Sequence, residues 1–271
     1  MKNLLISFSG GRTSAFMTKL ILELPKYKDY NKLVVFANTG KENEQTLEFI
    51  NRCDIEFNLN VHWIEALITQ EKGIGTKYSE VDYKTADRTG GVFEDLIRKY
   101  GIPNKAYRHC TRDLKEIPIH KFAKDYFKDK YLTAIGIRAD EKHRLGSKPD
   151  IIYPLADMGF TQEIIINWWD RQDFDLELKD YQGNCDLCFL KSIRKKMTLL
   201  TEREYDWWIE MERKYGTTKL PRFDVYRKKT VLELIEDSKR KFRKAIDKKE
   251  LMKNQFSFEL DTEFDCFCKS N

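Results

Sequence analysis

The turn at residues 7–17, which reads SFSGGRTSAFM, has the residue types of an anion-binding site. Gly10 and Gly11 allow a sharp turn that exposes successive backbone N–H groups. Neighbouring hydroxyls add donors, and a helix that begins near Thr13 adds its positive N-terminal end. The spacing is neither that of a Walker A motif nor that of a dinucleotide-binding glycine motif. We therefore expect phosphate binding by Ser7, Ser9, Gly10, Gly11, Arg12, Thr13 and Ser14.

Six cysteines offer metal or redox chemistry. Cys185 and Cys188 are separated by two residues, and Cys266 and Cys268 by one. Two thiolates at the first spacing bind one metal ion or one cluster, or they form a redox disulfide. Structural disulfides are rare in the cytosol. Cys53 follows a helical apolar pattern, which indicates a buried position.

Two other segments place cations where they can bind an anion or activate a thiol. Arg108 and Lys115 flank Cys110 just before a predicted helix. Nearby cations and a helix N-terminus lower the pKa of a thiol and attract phosphate or sulfate. Arg138 and Arg144 share one predicted loop, and their guanidinium groups suit bidentate binding of phosphate oxygens.

The composition fits a protein that handles phosphates in the cytoplasm. The 271 residues suffice for one large domain, or for one domain with an appendage. A net charge of +5 fits a protein that binds phosphates or nucleic acid, and also an ordinary basic enzyme. No apolar run approaches the roughly 20 residues of a membrane span, and the first residues show no signal-peptide pattern. We expect a cytoplasmic protein with no membrane partner.

Alternating strand and helix patterns position these residues. Short apolar runs predict strands at residues 4–7, 33–37, 61–64 and 131–137. Segments with helical spacing cover residues 14–23, 43–57, 92–100 and 117–126. This alternation predicts an α/β fold with a parallel, doubly wound, Rossmann-like sheet, in which ligands bind at the carboxyl ends of the strands.

The rest of the chain is expected to form a helical extension. Helical patterns cover residues 162–171, 199–215 and 231–253, and the extension carries both close cysteine pairs. The lysine-rich last pattern predicts either a solvated helix face or a surface that binds nucleic acid phosphates. We predict an α/β nucleotide-binding domain over residues 1–160 and a helical extension over residues 161–271, packed on the first part.

Four ordered segments resemble one protein family. The spacing Ser-Gly-Gly-x-x-Ser at residues 9–14 resembles the pyrophosphate loop (PP-loop) of the adenine nucleotide α-hydrolase-like superfamily. Residues 36–50 (FANTGKENEQTLEFI), 100–118 (YGIPNKAYRHCTRDLKEIP) and 136–144 (GIRADEKHR) resemble signatures of its phosphoadenosine phosphosulfate (PAPS) reductase-like members. The resemblance implies the PP-loop version, also called the HUP type, of the predicted fold.

The resemblance also implies an adenine nucleotide as ligand, which would be PAPS, adenylyl sulfate (APS) or ATP, the last with Mg²⁺. Arg12 and Thr13 stand where many members have Lys-Asp, so the cation is kept and the carboxylate is lost. Positions that match the family's motifs add to the nucleotide site Asn38, Thr39, Gly40, Arg108, Gly136, Arg138, Glu141 and Arg144.

A reactive cysteine is implied by the same resemblance. The candidates are Cys110, Cys266 and Cys268, with Lys115 as a neighbouring cation. The tail at residues 263–271 (EFDCFCKSN) has cysteines but lacks the Glu-Cys-Gly motif that PAPS reductases use.

A metal centre is the second implication for the cysteines. Relatives with a 4Fe-4S cluster bring a cysteine from the position of Cys110 beside a downstream Cys-x-x-Cys. The implied cluster ligands are Cys110, Cys185, Cys188 and Cys268. The alternative is a structural zinc on Cys185, Cys188, Cys266 and Cys268. Thiols without a metal remain a third interpretation.

These features predict a PAPS reductase-family enzyme. In it, a cysteine thiolate attacks activated sulfur, and a thiol reductant such as thioredoxin or glutaredoxin resolves the product. An ATP-dependent, iron–sulfur-dependent sulfurtransferase that modifies a nucleobase in tRNA or DNA is the first alternative. A noncatalytic nucleotide-binding accessory protein is the second.

Overall fold

A six-stranded sheet lies at the centre of the protein in a computed structural model that describes residues 2–216 and 229–247. The strand order is β4-β3-β2-β1-β5-β6. The strands are β1 (Lys2–Ser7), β2 (Tyr30–Asn38), β3 (Val61–Leu67), β4 (Lys77–Val81), β5 (Tyr131–Ala134) and β6 (Ile151–Ile152). Together with helices on both faces, this order confirms the predicted Rossmann-like α/β fold.

β1 is the centre of the sheet and pairs in parallel with β2 on one side and β5 on the other. Ile6 lies opposite Val34 of β2 and Ala134 of β5. The chain therefore leaves β1 in one direction and returns on its other side. Such a switch in strand order opens a crevice at the carboxyl ends of the strands, where ligands bind.

The sequence predicts a parallel sheet, but the sheet is mixed. At its edge, β4 runs antiparallel to β3. Glu65 of β3 faces Ser79 of β4 in this pair. The sequence of β4, KYSEV, has few apolar residues because its side chains are exposed or only half-buried. A strand without an apolar run gives little periodic signal.

Helices lie in the connections between the strands and in the extension. They are α1 (Arg12–Glu23), α2 (Glu44–Phe57), α3 (Gly91–Tyr100), α4 (His109–Thr111), α5 (Ile117–Phe127), α6 (Pro154–Asp157), α7 (Gln162–Trp169), α8 (Ile193–Leu200), α9 (Asp206–Tyr215) and α10 (Val231–Ser238). A π-helix (Arg112–Glu116) joins α4 to α5, and short 3-10 helices occupy Pro25–Tyr27 and Ala139–Arg144.

Alternation along the strands divides the core between the two faces of the sheet. Leu4 and Ile6 pack on the face that carries α1 and α2, whereas Leu5 packs on the face that carries α5. Burial of both faces explains the continuous apolar runs that made β1 and β2 recognisable in the sequence.

The extension packs in two places. Trp169 and Leu178 complete the core on the α1 and α2 side of the sheet. The later helices form a separate apolar cluster with α3, in which Leu187, Trp208 and Leu234 are buried.

Two helices of the extension are shorter than predicted. The pattern at residues 199–215 is interrupted between α8 and α9, where the hydroxyl of Thr201 donates to the Thr198 carbonyl at 2.7 Å. The pattern at residues 231–253 is helical as far as Ser238, where the chain turns back to α8. Residues 248–253 of this pattern lie outside the described part of the chain. The N–H of Ala245 donates to the Thr198 hydroxyl at 2.9 Å.

Of the helices in the described part of the chain, none combines the length and the apolar character needed to cross a membrane.

Candidate functional site

Hydrogen-bond donors of the predicted phosphate loop converge on one oxygen. The backbone N–H groups of Ser9 and Gly11 lie 3.2 and 3.3 Å from the Ser14 hydroxyl oxygen. The Ser9 hydroxyl donates to the same oxygen at 3.0 Å. An oxyanion oxygen is satisfied by the same arrangement of donors at a helix N-terminus.

The turn requires glycine at position 10. Gly10 has φ +77°, and a Cβ there would lie 2.7 Å from Ile50 and 2.8 Å from Thr46, both on α2. The backbone of the loop thus packs directly on α2, which fixes the direction of its N–H groups.

Arg12 points away from the loop donors and into the extension. Its Nε donates to Asp175 at 2.6 Å, and the guanidinium group also donates to the carbonyls of Leu176 and Leu178. In return, Trp169 Nε1 donates to the Arg12 carbonyl at 3.0 Å. An ion pair with the extension neutralises the positive charge of Arg12. The main contacts of this side chain are therefore with the extension and not with the loop.

The loop after β5 lies against the start of α1. A Cβ on Gly136 would come within 3.5 Å of the Ser14 Cα, and Arg138 reaches the Thr13 hydroxyl at 3.4 Å. The buried Arg138 side chain forms ion pairs with Asp140 at 3.0 Å and Glu141 at 3.5 Å.

Arg144 also pairs with Glu141, and its side chain is buried. Glu141 therefore joins the two arginines that the sequence predicted as phosphate ligands. Of these two, Arg138 lines a cavity at the phosphate loop, and both are held in fixed positions by carboxylates.

The predicted polar turn after β2 forms two buried networks. The Asn38 amide donates to Glu65 at 2.6 Å and to the Asp87 carbonyl at 2.8 Å, and the Asp87 N–H donates to the same Glu65 oxygen at 2.6 Å. Burial raises the pKa of Glu65, although the bonds from Asp87 and Asn38 oppose this effect. A Cβ on Gly40, whose φ is +77°, would collide with the Asp87 carboxylate.

The second network connects the turn to Lys115. The Thr39 N–H and hydroxyl both donate to the buried Glu42 carboxylate at 2.9 Å. Lys115 Nζ lies 3.5 Å from Glu42 on one side and 4.0 Å from the sulfur of Cys185 on the other. Lys115 belongs to the π-helix, a widened turn that is frequent at functional sites.

Backbone contacts fix the segment around Cys185 to the turn after β2. Glu42 and Cys185 form an antiparallel β-bridge, and Asn43 donates to the Asn184 carbonyl at 2.8 Å. The Asn184 side chain donates to the Ser9 carbonyl at 2.6 Å. The Cys-x-x-Cys segment is therefore held beside the phosphate loop, 175 residues away in sequence.

A cavity of about 180 Å³, here called the thiol cavity, joins the loop to the cysteine pair. Its lining includes Ser9, Gly11, Lys115, Arg138, Cys185 and Cys188. Burial raises the pKa of Cys185 to about 12; Lys115 lowers it, while Glu42 and Cys188 raise it. Burial at this position thus favours the protonated thiol over the thiolate.

A larger cavity of about 450 Å³, here called the apolar slot, lies at the carboxyl ends of β1, β2 and β5. Its apolar lining includes Phe8, Phe36, Ala37, Ile117 and Ile135. Ser9 and Lys115 line both cavities, so the two meet at the phosphate loop. An apolar slot beside an anion-binding loop is suited to a ligand with a flat base and phosphate groups.

Two residues of the segment that was predicted to activate a thiol lie outside both cavities. Cys110 packs against the apolar cluster of α3 and the extension, and it lines neither cavity. Arg108 is exposed and also lines neither cavity. Cys266 and Cys268 lie outside the described residues.

The described residues alone do not form the implied metal centre. Within residues 2–216 and 229–247, no three Cys, His, Asp or Glu side chains come close enough to hold a metal ion. The cluster and zinc ligand sets cannot be completed from these residues, because both include Cys268. The cluster, zinc and Mg²⁺ stay predictions.

Three residues of the site were not predicted from the sequence. Asp175 and Asn184 act through contacts that span more than 160 residues, so no local pattern marks them. Glu65 could have been recognised as a site candidate, because an acidic residue in a buried strand needs hydrogen-bond donors around it.

One family model and several known proteins are similar to parts of this chain. A family model described as "Phosphoadenosine phosphosulfate reductase domain" matches residues 3–89. An uncharacterized nin region protein of Escherichia phage lambda is 36% identical over 194 residues, which cover 70% of this chain and 67% of that protein.

Two uncharacterized proteins of Methanocaldococcus jannaschii are also similar. The first is 30% identical over 151 residues, which cover 55% of this chain and 26% of that protein. The second is 26% identical over 120 residues, which cover 44% of this chain and 22% of that protein. The chain thus spans about a quarter of the length of these archaeal relatives.

Proposed function

This chain belongs to the phosphoadenosine phosphosulfate reductase domain family, and we propose from that membership that it is an enzyme acting on an adenylyl-sulfate type of substrate. The observation that carries the proposal is the shared lining of the thiol cavity. Ser9 and Gly11 of the phosphate loop line it together with Cys185 and Cys188. Anion donors and two thiols therefore face the same small volume.

The nucleotide would lie across both cavities. The adenine base would enter the apolar slot, whose apolar walls favour a flat ring. The phosphate next to the sulfur would accept hydrogen bonds at the loop of residues 9–14, where the backbone N–H groups converge. The sulfate group would then extend into the thiol cavity, towards Lys115 and Cys185.

The chemistry would be a two-electron reduction by the cysteine pair. The thiolate of Cys185 attacks the sulfur, and the bond from sulfur to the phosphate oxygen breaks, with its electron pair leaving on the nucleotide. A protein thiosulfonate remains. The Cys188 thiolate then attacks the Cys185 sulfur, which releases sulfite and leaves a disulfide. An external thiol reductant, such as thioredoxin or glutaredoxin, returns both cysteines to thiols.

Lys115 has two roles in this proposal. Its ammonium group favours the Cys185 thiolate, because a positive charge stabilises the deprotonated sulfur. The same charge would attract the sulfate group. The Glu42 carboxylate at 3.5 Å keeps the ammonium group in place.

The test is sulfite release from PAPS and from APS with dithiothreitol as the reductant. We expect turnover by the wild type and its loss in Cys185→Ser. With substrate but without dithiothreitol, Cys188→Ser should form the thiosulfonate once and then stop, which intact-protein mass spectrometry detects as one added SO₃ group. Cys53→Ala, which removes a buried thiol far from the loop in sequence, is the control.

Two outcomes would overturn the proposal. Nucleotide binding without sulfite release would favour the accessory protein. Turnover of ATP to AMP that depends on RNA or DNA would identify the sulfurtransferase. Metal analysis of anaerobically purified protein belongs to the same experiment, since iron and sulfide on Cys185 and Cys188 would exclude their action as a free dithiol.

A further inference from the structure

A stack of three rings on the surface is not used by the proposed reaction. The His109 ring lies nearly parallel to those of Tyr100 and Tyr107, with interplanar angles of 20° and 15°. The centroid distances are 5.1 and 6.0 Å, respectively. Tyr107 is 49% exposed, so one end of this stack is open to solvent. We call these three residues the aromatic stack.

The segment that carries the aromatic stack is strongly basic. Residues 97–112 contain five Arg and Lys residues and no Asp or Glu. The cations are Arg98, Lys99, Lys105, Arg108 and Arg112. Lys99 and Arg112 lie 5.5 and 5.7 Å from the centroid of the Tyr100 ring, respectively.

Arg108 stands out among these cations. Lys99 donates to the carbonyls of Thr69 and Ile74, and Arg112 pairs with Asp113 at 2.8 Å. Arg108 is exposed and lies between Tyr107 and His109 in sequence. Within the described part of the chain, no hydrogen bond or ion pair occupies its side chain.

We propose that the aromatic stack and Arg108 form a binding surface for single-stranded nucleic acid. The exposed face of Tyr107 would extend the row of rings by stacking an unpaired base. Arg108 would contact the adjacent phosphate. An acidic peptide satisfies the cations but supplies no flat ring for Tyr107, so the stack favours nucleic acid.

The position of this surface connects it to the site. His109 begins the helical run that continues through the π-helix to Lys115, and six residues of helix span roughly 9 Å. A bound strand would therefore lie near the cavity that Lys115 lines. The surface goes beyond the proposed reductase reaction and does not depend on it.

The test measures the fluorescence anisotropy of a labelled thymidine oligomer of about 12 nucleotides, a length within the range of known single-strand sites. The corresponding uridine RNA shows whether the sugar matters, and blunt duplex DNA shows whether unpaired bases are needed. Competition by inorganic polyphosphate distinguishes the contribution of charge to binding from the contribution of base stacking. No sulfur substrate is present, so failure here and failure of the reductase proposal are separate results.

We expect Tyr107→Ala to weaken binding of the oligomer by about tenfold. Arg108→Ala should weaken it and reduce the salt dependence by roughly 0.7 in the logarithmic slope, the value for one phosphate contact on a single strand. Tyr126→Ala is the matched control, because Tyr126 is 45% exposed and lies on α5, outside the basic segment.

Several results would overturn the proposal. One is equal binding of the oligomer and the duplex. Another is displacement by polyphosphate as effective, per phosphate, as displacement by the unlabelled oligomer. A third is a loss of binding in Arg240→Ala that is not seen in Tyr107→Ala and Arg108→Ala, which would place the surface at the basic residues after α10. Circular dichroism of each variant confirms that the fold is kept.

Discussion

Gly10 shows how one residue sets the geometry of the phosphate loop. Its positive φ and its contact with α2 are both incompatible with a side chain. We expect Gly10→Ala to destabilise the protein by about 1 kcal/mol from the backbone conformation. Overpacking against Ile50 and Thr46 should cost about 1–3 kcal/mol more.

Gly73→Ala is the matched control, since Gly73 has φ +81° but nothing within 4 Å of a Cβ. Urea unfolding should show the larger loss for Gly10→Ala, and calorimetry should show weaker binding of an adenine nucleotide by that variant alone. Equal losses in the two variants would mean that contact with α2 does not shape the loop.

The buried Glu65 is expected to make stability depend on pH. Its pKa is raised in the folded protein, so between the unfolded and folded pKa values the native state binds more protons. The free energy of unfolding should then fall as pH rises through this window. In Glu65→Gln, the amide oxygen still accepts from Asn38 and Asp87, but it does not titrate.

Urea unfolding at several pH values from 4 to 8 tests this prediction. Relative to the wild type, Glu65→Gln should gain stability as the pH rises through this window. Glu48→Gln, at an exposed position on α2, should follow the wild-type profile. A difference between Glu65→Gln and the wild type that stays constant with pH would show that Glu65 ionises as readily in the folded protein as in the unfolded chain.

At the scale of elements, α7 is a support for the start of α1. The fully buried Trp169 donates to the Arg12 carbonyl, whereas Trp168 is only half-buried and packs on Phe16 and Phe57. Trp169→Phe should lose this bond and leave a small cavity, at a cost of about 2 kcal/mol. Trp168→Phe should cost less.

Thermal unfolding and nucleotide titration of the two variants provide the measurement. Trp169→Phe should also weaken nucleotide binding, because α1 begins at the phosphate loop. If Trp168→Phe has the larger effect on both thermal stability and nucleotide binding, α7 is held by the aromatic contacts of Trp168 and not by the bond from Trp169 to Arg12.

The elements that could be predicted are those with both faces buried. β1 and β2 have continuous apolar runs, and their partner helices have clear helical spacing, which together predict an α/β fold with a parallel sheet. β4 could not be predicted, since its half-exposed residues give no run. The last helical pattern was overextended, because the turn after Ser238 depends on a contact with Thr198 and not on local sequence.

The site itself was predicted in part. The loop of residues 9–14 can be identified from its glycines and hydroxyls. The direction of the Arg12 side chain cannot be predicted from the sequence, because its partner Asp175 comes from another region of the chain. In the same way, only the fold shows that Cys185 lies at the loop while Cys110 lies in an apolar cluster.

At the scale of the whole molecule, the two predicted parts share one core. Trp169 and Leu178 of the extension pack with Leu4 and Ile6 of β1. We expect one cooperative unfolding transition for the full chain, because neither part keeps its buried surface alone.

Coincident urea unfolding curves from far-UV circular dichroism and tryptophan fluorescence would support a single cooperative transition. Four of the five tryptophans lie after residue 160, so fluorescence reports mainly on the extension. Two separated transitions would mean that residues 161–271 fold independently of the sheet.

The contact between Asn184 and Ser9 also has a consequence for protein synthesis. The ribosome adds about 5–20 residues per second, so the 175 residues between the two partners take roughly 10–35 s to appear. During this time the nascent loop has emerged without the segment that forms the wall of its cavity. A nucleotide met early in translation thus finds donors but no thiols, and the complete site can form only after most of the chain has left the ribosome.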